Sequence, residues 1–329
     1  MSELKELSFS VYTRYKSIQD CILALSKNKK IKILEVGGRG NFLKKFMPSY
    51  DITILDVIDS DEPNYIKGDG RSLPFKDNEF DIIVSTDVLE HIPAPDRKIF
   101  IEEQIRVAKI GLIIAFPSYN KEVVQIEKET NKLYRSLSGQ EHPWLIEHLS
   151  FSLPQEKFVE KILETHRLTW SCYGNQDVRL WRQLLAIDIL VAGVGAPEIL
   201  KKFNELSAYY NSHVQQYDYH KNGYRKLYVA NKNRGRLLLN KPSLQSISSQ
   251  NIIELGMLMS IFMKEAFDQI NKQTVKLRER LIDQWELEKE IHKSLEEIDR
   301  LNKKLHGIES SKLYKILAKI RGILNRFRK

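Results

Sequence analysis

The stretch Ile31-Lys32-Ile33-Leu34-Glu35-Val36-Gly37-Gly38-Arg39-Gly40 decides the fold. Residues 31–36 have strand character, and the next four residues form a glycine-rich turn. Phe42, Leu43 and Phe46 then continue as a helix that Pro48 stops. A strand that passes through such a turn into a helix points backbone N–H groups and the positive helix end at a ligand. The glycines let the backbone approach that ligand closely. Many turns share this composition, so its meaning rests on its surroundings.

Working outward, an amphipathic helix over 5–28 comes first, within an N-terminal segment 1–28. Strands are expected over 51–57, 65–67, 80–85 and 110–116, with a helix over 96–107 before the last. Past Pro117, Leu153-Pro154 opens a helix through Leu163, and 168–173 reads as a strand. Residues 178–217 read as helical and 224–230 as a final strand. Strands and helices alternating through short links signal an α/β fold with a doubly wound, mainly parallel, Rossmann-like sheet, here of seven strands. This domain is expected over 29–235, with an inserted lid over 119–152.

Several motifs follow the glycine turn in order. Asp56 ends the second strand, where an acidic side chain accepts both hydroxyls of a ribose. Asp69-Gly70 and Leu73-Pro74-Phe75 come after the third strand. The fourth strand, Phe80-Asp81-Ile82-Ile83-Val84-Ser85, runs into Asp87-Val88-Leu89-Glu90-His91-Ile92-Pro93. Together these resemble the class I S-adenosylmethionine-dependent methyltransferases, most closely the type 11 group that methylates quinones, lipids and small metabolites. The resemblance implies S-adenosyl-L-methionine as cofactor. It implies that Glu35, Gly37, Gly38 and Gly40 hold the methionine part and Asp56 the ribose. It further implies that Asp69 reaches the adenine amino group with Gly70 beside it, and that Asp87 lines the pocket near the sulfonium. The loop departs from the family's Glu-x-Gly-x-Gly-x-Gly by being one residue shorter. A tighter turn is expected, with Arg39 either on the methionine carboxylate or, as expected here, in solvent. A nicotinamide-dependent dehydrogenase also uses a glycine turn and an acidic strand end, but its Gly-x-Gly-x-x-Gly is absent.

Methyl transfer from a sulfonium is an in-line displacement, so alignment and water exclusion are the enzyme's main tasks, and no metal is required. A hydroxyl acceptor benefits from a base near neutral pKa, which histidine supplies. His91, at the ligand-binding end of the fourth strand, is one candidate; its alternative role is to pack the following turn. The run Glu141-His142-Pro143-Trp144-Leu145-Ile146-Glu147-His148, in the lid, holds two more, His142 and His148. A base with an orienting carboxylate and a solvated helix start are both open readings there. The spacing of the two lid histidines matches no standard metal motif. Tyr209, Tyr210, Tyr217, Tyr219 and Tyr224 read as core rather than as a sugar-stacking surface.

Composition narrows the setting. The chain is 42% hydrophobic and 29% charged, enough to bury a core. Cys21 and Cys172 are its only cysteines, which argues against disulfides or a zinc finger and for a reducing compartment. The N-terminus lacks a signal-peptide core, and the apolar stretch 184–196 is broken by Asp188 and is too short to span a bilayer. Net charge is +9, but residues 307–329 carry seven Lys or Arg against Glu309 alone, so no broad nucleic-acid face is indicated.

Residues 236–252 read as a Ser-rich linker and 253–306 as a helical segment. Ile270, Leu277, Leu281, Ile291, Leu295, Ile298 and Leu305 share one heptad register, interrupted by Gln284, Glu288 and Asn302. A short coiled coil is one reading, with Asn302 favouring a parallel homodimer; a helix packed on its own domain is the other. Residues 307–329 alternate apolar and basic faces, as in a helix that lies on an anionic membrane surface or in a partner's acidic groove. Ser310-Ser311-Lys312-Leu313-Tyr314, with the lid's His142-Pro143-Trp144-Leu145 and Glu147-His148-Leu149, resembles bacterial enzymes of surface-polysaccharide assembly. That likeness implies a glycan or lipid-linked sugar acceptor, a peripheral place on the inner membrane face, and a homodimer or glycosyltransferase partner. A small molecule, lipid or quinone as acceptor, or a non-catalytic cofactor-binding scaffold, are the alternatives.

Overall fold

The structure is a computed structural model that describes residues 2–27, 29–233, 244–310 and 319. It divides into two units, Met1–Gln269 and Ile270–Lys329. The first is built on one seven-stranded sheet of order β3-β2-β1-β4-β5-β7-β6. Its strands are β1 (Lys32–Val36), β2 (Asp51–Asp56), β3 (Tyr65–Lys67), β4 (Phe80–Thr86), β5 (Ala108–Pro117), β6 (Thr169–Asp177) and β7 (Gly223–Asn231). The first five pair in parallel, and β7 inserts antiparallel between β5 and β6. This is the Rossmann-like methyltransferase fold expected from the sequence. The central strands are continuous apolar runs because both faces of the sheet are covered. Ile33, Ile82 and Ile113 face one core with Ile18 and Ile22, while Leu34, Ile83 and Leu112 face the other with Phe100 and Val159.

The helices of this unit are α1 (Ser2–Lys5), α2 (Phe9–Ser26), α3 (Phe42–Phe46), α4 (Arg97–Val107), α5 (Lys121–Ser138), α6 (Pro143–Phe151), α7 (Glu156–Thr165), α8 (Val178–Val194) and α9 (Pro197–His213). The single helix expected over 5–28 is divided because Ser8 takes an extended conformation and caps α2, its hydroxyl accepting from Val11 N. The helix expected to open at Leu153 begins at Glu156, after an extended Gln155. The strand expected over 168–173 runs on to Asp177 because β7 pairs with it along that length. Tyr210, Tyr219 and Tyr224 are buried, in keeping with a core role.

The expected lid is the pair α5 and α6. Asn120 caps α5 through its side chain, and Gly139 ends it in the left-handed conformation. Val123, Ile126, Glu127, Thr130 and Asn131 form its buried face. Asn131 Oδ1 accepts from His142 N at 2.8 Å, which ties the two lid helices together. Arg97, at the start of α4, donates to the carbonyls of Phe151 and Ser152 and so pins the end of α6.

Residues 236–243 of the expected linker lie outside the described residues, and its last four residues are already helical. They open α10 (Ser249–Ser310). Leu255, Phe262, Ala266 and Gln269 are buried within the first unit, and Tyr209 donates to Asn251 at 3.3 Å. In the second unit the heptad positions Leu277, Leu281, Ile291, Leu295 and Ile298 are all more than half exposed. No helix among the described residues is long and apolar enough to cross a membrane. The basic amphipathic segment falls almost wholly outside the described residues, at 311–318 and 320–329.

Candidate active site

Parallel pairing puts the C-terminal ends of β1 to β5 on one edge of the sheet, where open α/β folds bind ligands. The predicted cofactor residues all emerge there. Gly37 has φ +82°, and a Cβ on it would lie 2.3 Å from Val88 Cγ2. Its N–H donates to Leu55 O at 2.8 Å, which closes β1 against β2. The shortened loop resolves as a single 3-10 turn, Arg39–Asn41, with Gly40 and Asn41 both left-handed. This is the tighter turn that one missing residue requires. The side chain of Arg39 lies outside the described set.

Glu35 sits beneath the turn. A Cβ on Gly38 would fall 2.3 Å from the Glu35 carboxyl carbon, so only glycine fits above it. Glu35 is 1% exposed, and apart from the nearby Tyr15 hydroxyl, which meets it in poor hydrogen-bond geometry, neither oxygen has a partner among the described residues. Burial pushes its carboxyl up to about 7, against the opposing pull of Tyr15 and Arg14. A buried, unsatisfied carboxylate beside a glycine turn suits a ligand ammonium group.

Asp56 ends β2 with Oδ1 accepting from Ile58 N at 3.0 Å, which leaves Oδ2 for a ribose. Asp69 is more occupied than expected. Arg71 clasps both of its oxygens at 2.7–3.1 Å, and the arginine's other end reaches Asp96. Arg71 holds the Asp69 carboxyl below its ordinary range, so it stays an acceptor for an amino group. Gly70 packs against Phe100, where a Cβ would meet the ring at 2.5 Å.

Asp87 follows β4 in the left-handed region, φ +54°, a conformation costly for a side chain with a Cβ. Its N–H donates to Ala115 O, and two arginines grip its carboxylate. Arg225 on β7 makes a bidentate pair at 2.6 Å on each oxygen, and Arg14 on α2 adds a third contact at 2.8 Å. Burial raises the Asp87 carboxyl, but the two guanidinium groups outweigh it and hold it well below the usual range. Gln176 accepts from the remaining arm of Arg225.

Beyond Asp87 the chain turns through Leu89–His91 and meets α6. His91 Nδ1 lies 2.6 Å from Glu147 Oε2. His148 Nδ1 lies 3.0 Å from Glu127 Oε1, which also accepts from Tyr224 at 2.7 Å. The two rings meet through their Nε2 atoms at 3.4 Å. Burial and the facing His148 lower His91; burial also acts to lower His148, but Glu127, Glu90 and Asp87 raise it overall. Glu90 is fully buried with both oxygens unpartnered, and burial together with Asp87 pushes its carboxyl up.

Of the expected catalytic residues, the fold thus brings His91 and His148 together. His142 stands apart, its ring packed against Tyr134 at 4.9 Å and Trp144 at 5.6 Å, with Nδ1 unpartnered. Glu141 turns to Arg135 instead. Arg14, Glu127 and Arg225 escape a reading of the sequence because each meets its partner from a distant element. Glu127 alone leaves a trace, as a charge on the apolar face of α5.

Residues 49–116, from the start of β2 into β5, match the family described as "Methyltransferase domain". That stretch of the chain is similar to a methyltransferase domain. The matched part contains Asp56, Asp69, Asp87 and His91 but begins after the glycine turn. Among curated proteins, norajmaline N-methyltransferase of Rauvolfia serpentina is 31% identical over 125 residues, which are 38% of this chain and 35% of that protein. The chain therefore matches only about a third of that relative's length. The structure of the plantazolicin methyltransferase BpumL with SAH is similar at 12% identity and TM-score 0.43, covering 68% of this chain and 84% of that one. That of magnesium protoporphyrin IX methyltransferase from Synechocystis, also with SAH, is similar at 15% identity and TM-score 0.37, covering 50% and 77%. The sheet topology stands on the chain's own strand pairings.

Proposed function

We propose that this chain is an S-adenosylmethionine-dependent methyltransferase that methylates a hydroxyl of a glycan or lipid-linked sugar at the cytoplasmic membrane face. The observation that carries the reading is one crevice edge holding two kinds of group. Glu35, the glycine turn, Asp56, Asp69 and Asp87 line one stretch of it, and the His91–His148 pair closes the next. The cofactor supplies, when bound, a methyl group on a sulfonium. Glu35 and the glycine turn bind its methionine part, Asp56 the ribose and Asp69 the adenine amino group. The unsatisfied Glu35 carboxyl and the steric demand for glycine at position 38 support that assignment.

The chain's own chemistry is positioning and proton transfer. Glu147 and Glu127 each hold a proton on an Nδ1, which leaves the Nε2 edge of the pair to take the proton of an attacking hydroxyl. Trp144, 62% exposed on α6, gives the lid an apolar surface against the acceptor. The glycan class rests on the likeness of the lid and tail sequences to polysaccharide-assembly enzymes. Membrane placement rests on the seven basic residues of 307–329, each worth about 1 kcal/mol near an anionic surface.

The test is calorimetric titration with S-adenosylmethionine, followed by transfer of labelled methyl to lipid-linked sugars and to free small molecules. Micromolar binding that Asp56→Ala removes is expected, with label in the sugar fraction. Absence of binding refutes the methyl donor, and label in small molecules alone refutes the acceptor class. Equal liposome co-sedimentation of residues 1–306 and the full chain refutes the membrane tail.

A further inference from the structure

Two imidazole rings facing each other through Nε2 raise a question that proton transfer does not answer. Each Nδ1 is committed to a carboxylate, His91 to Glu147 and His148 to Glu127. Each Nε2 is therefore the free lone pair of its ring. Two such lone pairs pointed at one another at 3.4 Å repel unless a cation stands between them. A shared proton draws two nitrogens to the ordinary hydrogen-bond range of about 2.7–3.2 Å. Two nitrogens held at about 2.0–2.1 Å from one tetrahedral ion lie about 3.3–3.4 Å apart. The observed 3.4 Å matches the ion-bridged spacing and sits at the long edge of a shared-proton contact.

A third group completes the set. Glu90 precedes His91 on the same 3-10 turn, is fully buried, and has no side-chain hydrogen-bond partner on either oxygen among the described residues. One ligand atom from each of Glu90, His91 and His148 lies within 4.8 Å of the others. A buried carboxyl with no side-chain partner among the described residues is a costly feature, and a bound cation resolves it. The carboxylates behind both histidines are the outer partners that fix tautomer and ring direction at metal centres.

We propose that Glu90, His91 and His148 form a binding site for a divalent transition-metal ion of the zinc class, with a fourth position open to a water or hydroxyl. Two imidazoles and one carboxylate suit such ions rather than magnesium or calcium, which prefer oxygen ligands throughout. Asp87 is left out of the ligand set because Arg225 and Arg14 already hold its carboxylate through three contacts. His91 is 28% exposed and Glu147 51%, so the ion has an entry path from solvent. The spacing of His142 and His148 indicated no metal; the partner of His148 is instead 57 residues away, beyond the reach of spacing rules.

The site deepens the proposed methyl transfer, on which its role, though not its existence, depends. With the ion bound, both Nε2 lone pairs serve as ligands. An acceptor hydroxyl in the open position, made more acidic by the ion, gives its proton to water and no longer to the histidine pair. Its oxygen then forms the C–O bond as the C–S bond breaks, and the sulfur keeps the electron pair.

The experiment uses the full chain, stripped of metal by a chelator and dialysed. Zinc(II) is titrated by calorimetry, cobalt(II) is followed by its visible absorption, and magnesium serves as comparison. One equivalent of zinc and the intense band of tetrahedral cobalt are expected, with no matching response to magnesium. His91→Ala and His148→Ala are each expected to weaken zinc at least 100-fold. Glu147→Gln, which leaves all three ligands in place, is expected to weaken it 10–100-fold. His166→Ala, at a surface ion pair with Glu102, is the control and leaves binding unchanged. Circular dichroism on each variant separates lost binding from lost folding, and Glu147→Gln carries the test if a histidine variant unfolds. No zinc binding by the wild type, or full binding by folded His91→Ala and His148→Ala, overturns the site. S-adenosylmethionine is titrated in parallel. Cofactor binding without zinc binding sinks the metal site alone, and zinc binding without cofactor binding sustains it while sinking the methyl-donor reading.

Discussion

His148 and Glu127 form a buried pair at 3.0 Å that reaches the crevice through the ring and the core through the carboxylate, where Tyr224 donates to the same oxygen. The imidazole direction is thus set from β7 and α5, not from the lid helix that carries it. Glu127→Gln keeps the volume and loses the charge. Turnover is expected to fall about 100-fold, the scale of a misplaced acid–base group. Cofactor affinity should stay within about twofold, since Glu127 does not touch the glycine turn. Unchanged turnover, measured with whichever acceptor takes up label, would remove the pair from the mechanism.

Glu35 offers a pH test. Its carboxyl is pushed up to about 7 with the site free, so it is largely protonated at pH 6. Pairing with an ammonium group requires the carboxylate. Cofactor affinity is therefore expected to rise up to tenfold per unit as pH climbs toward about 7, then level off. Glu35→Gln should flatten that rise. Calorimetric titration at pH 5.5, 6.5 and 7.5 on both proteins decides, and parallel curves would disprove the pairing.

The buried acid Asp218 predicts a pH effect on stability itself. It accepts from Tyr210 and from Asp177 N, and burial pushes it up to about 7. A carboxyl whose folded pKa is raised favours the folded state most below its unfolded pKa, near about 4. That contribution is lost as pH rises through about 7. Asp218→Asn should reduce the dependence of Tm on pH over this window, and an unchanged slope would count against it.

Breaking the grip on Asp87 should cost stability. Arg225→Met removes a buried bidentate partner and leaves the carboxylate with Arg14 alone. A loss of about 3–5 kcal/mol is expected, the range for an uncompensated buried charge. Urea unfolding measures it. A change below about 1 kcal/mol would show that Asp87 takes a proton instead.

Much of this was legible because the chemistry of each parallel strand end is local. The strand, turn and helix from Ile31 to Phe46 announce themselves within sixteen residues, and Asp56 and Asp87 follow their strands directly. The mainly parallel sheet came with them, since strands and helices that alternate through short links wind that way. Arg14, Glu127 and Arg225 were not legible. Each acts on a residue from a different third or face of the chain, and nothing near an arginine in sequence announces which carboxylate it will find. His142 misled for the opposite reason. It is four residues before Ile146 on the chain, and its carbonyl serves the first turn of α6, so its ring packs on Tyr134 and Trp144 rather than turning inward.

The exposed row on α10 carries a further expectation. Leu277, Leu281, Ile291, Leu295 and Ile298 stay more than half exposed in the single chain, which is costly unless a partner covers them. If a second copy does so, Leu281→Asp with Leu295→Asp should convert a dimer to a monomer in analytical ultracentrifugation. A wild-type monomer at micromolar concentration would rule out the homodimer.

The clamp on Asp87 ties together residues 14, 87 and 225, so the charge balance of the crevice is completed only when the last strand of the sheet is in place. A ribosome that has not yet released β7 holds a chain able to form the glycine turn but not the acidic centre beside it. A fragment ending before Arg225 therefore leaves the Asp87 carboxylate with Arg14 as its arginine partner.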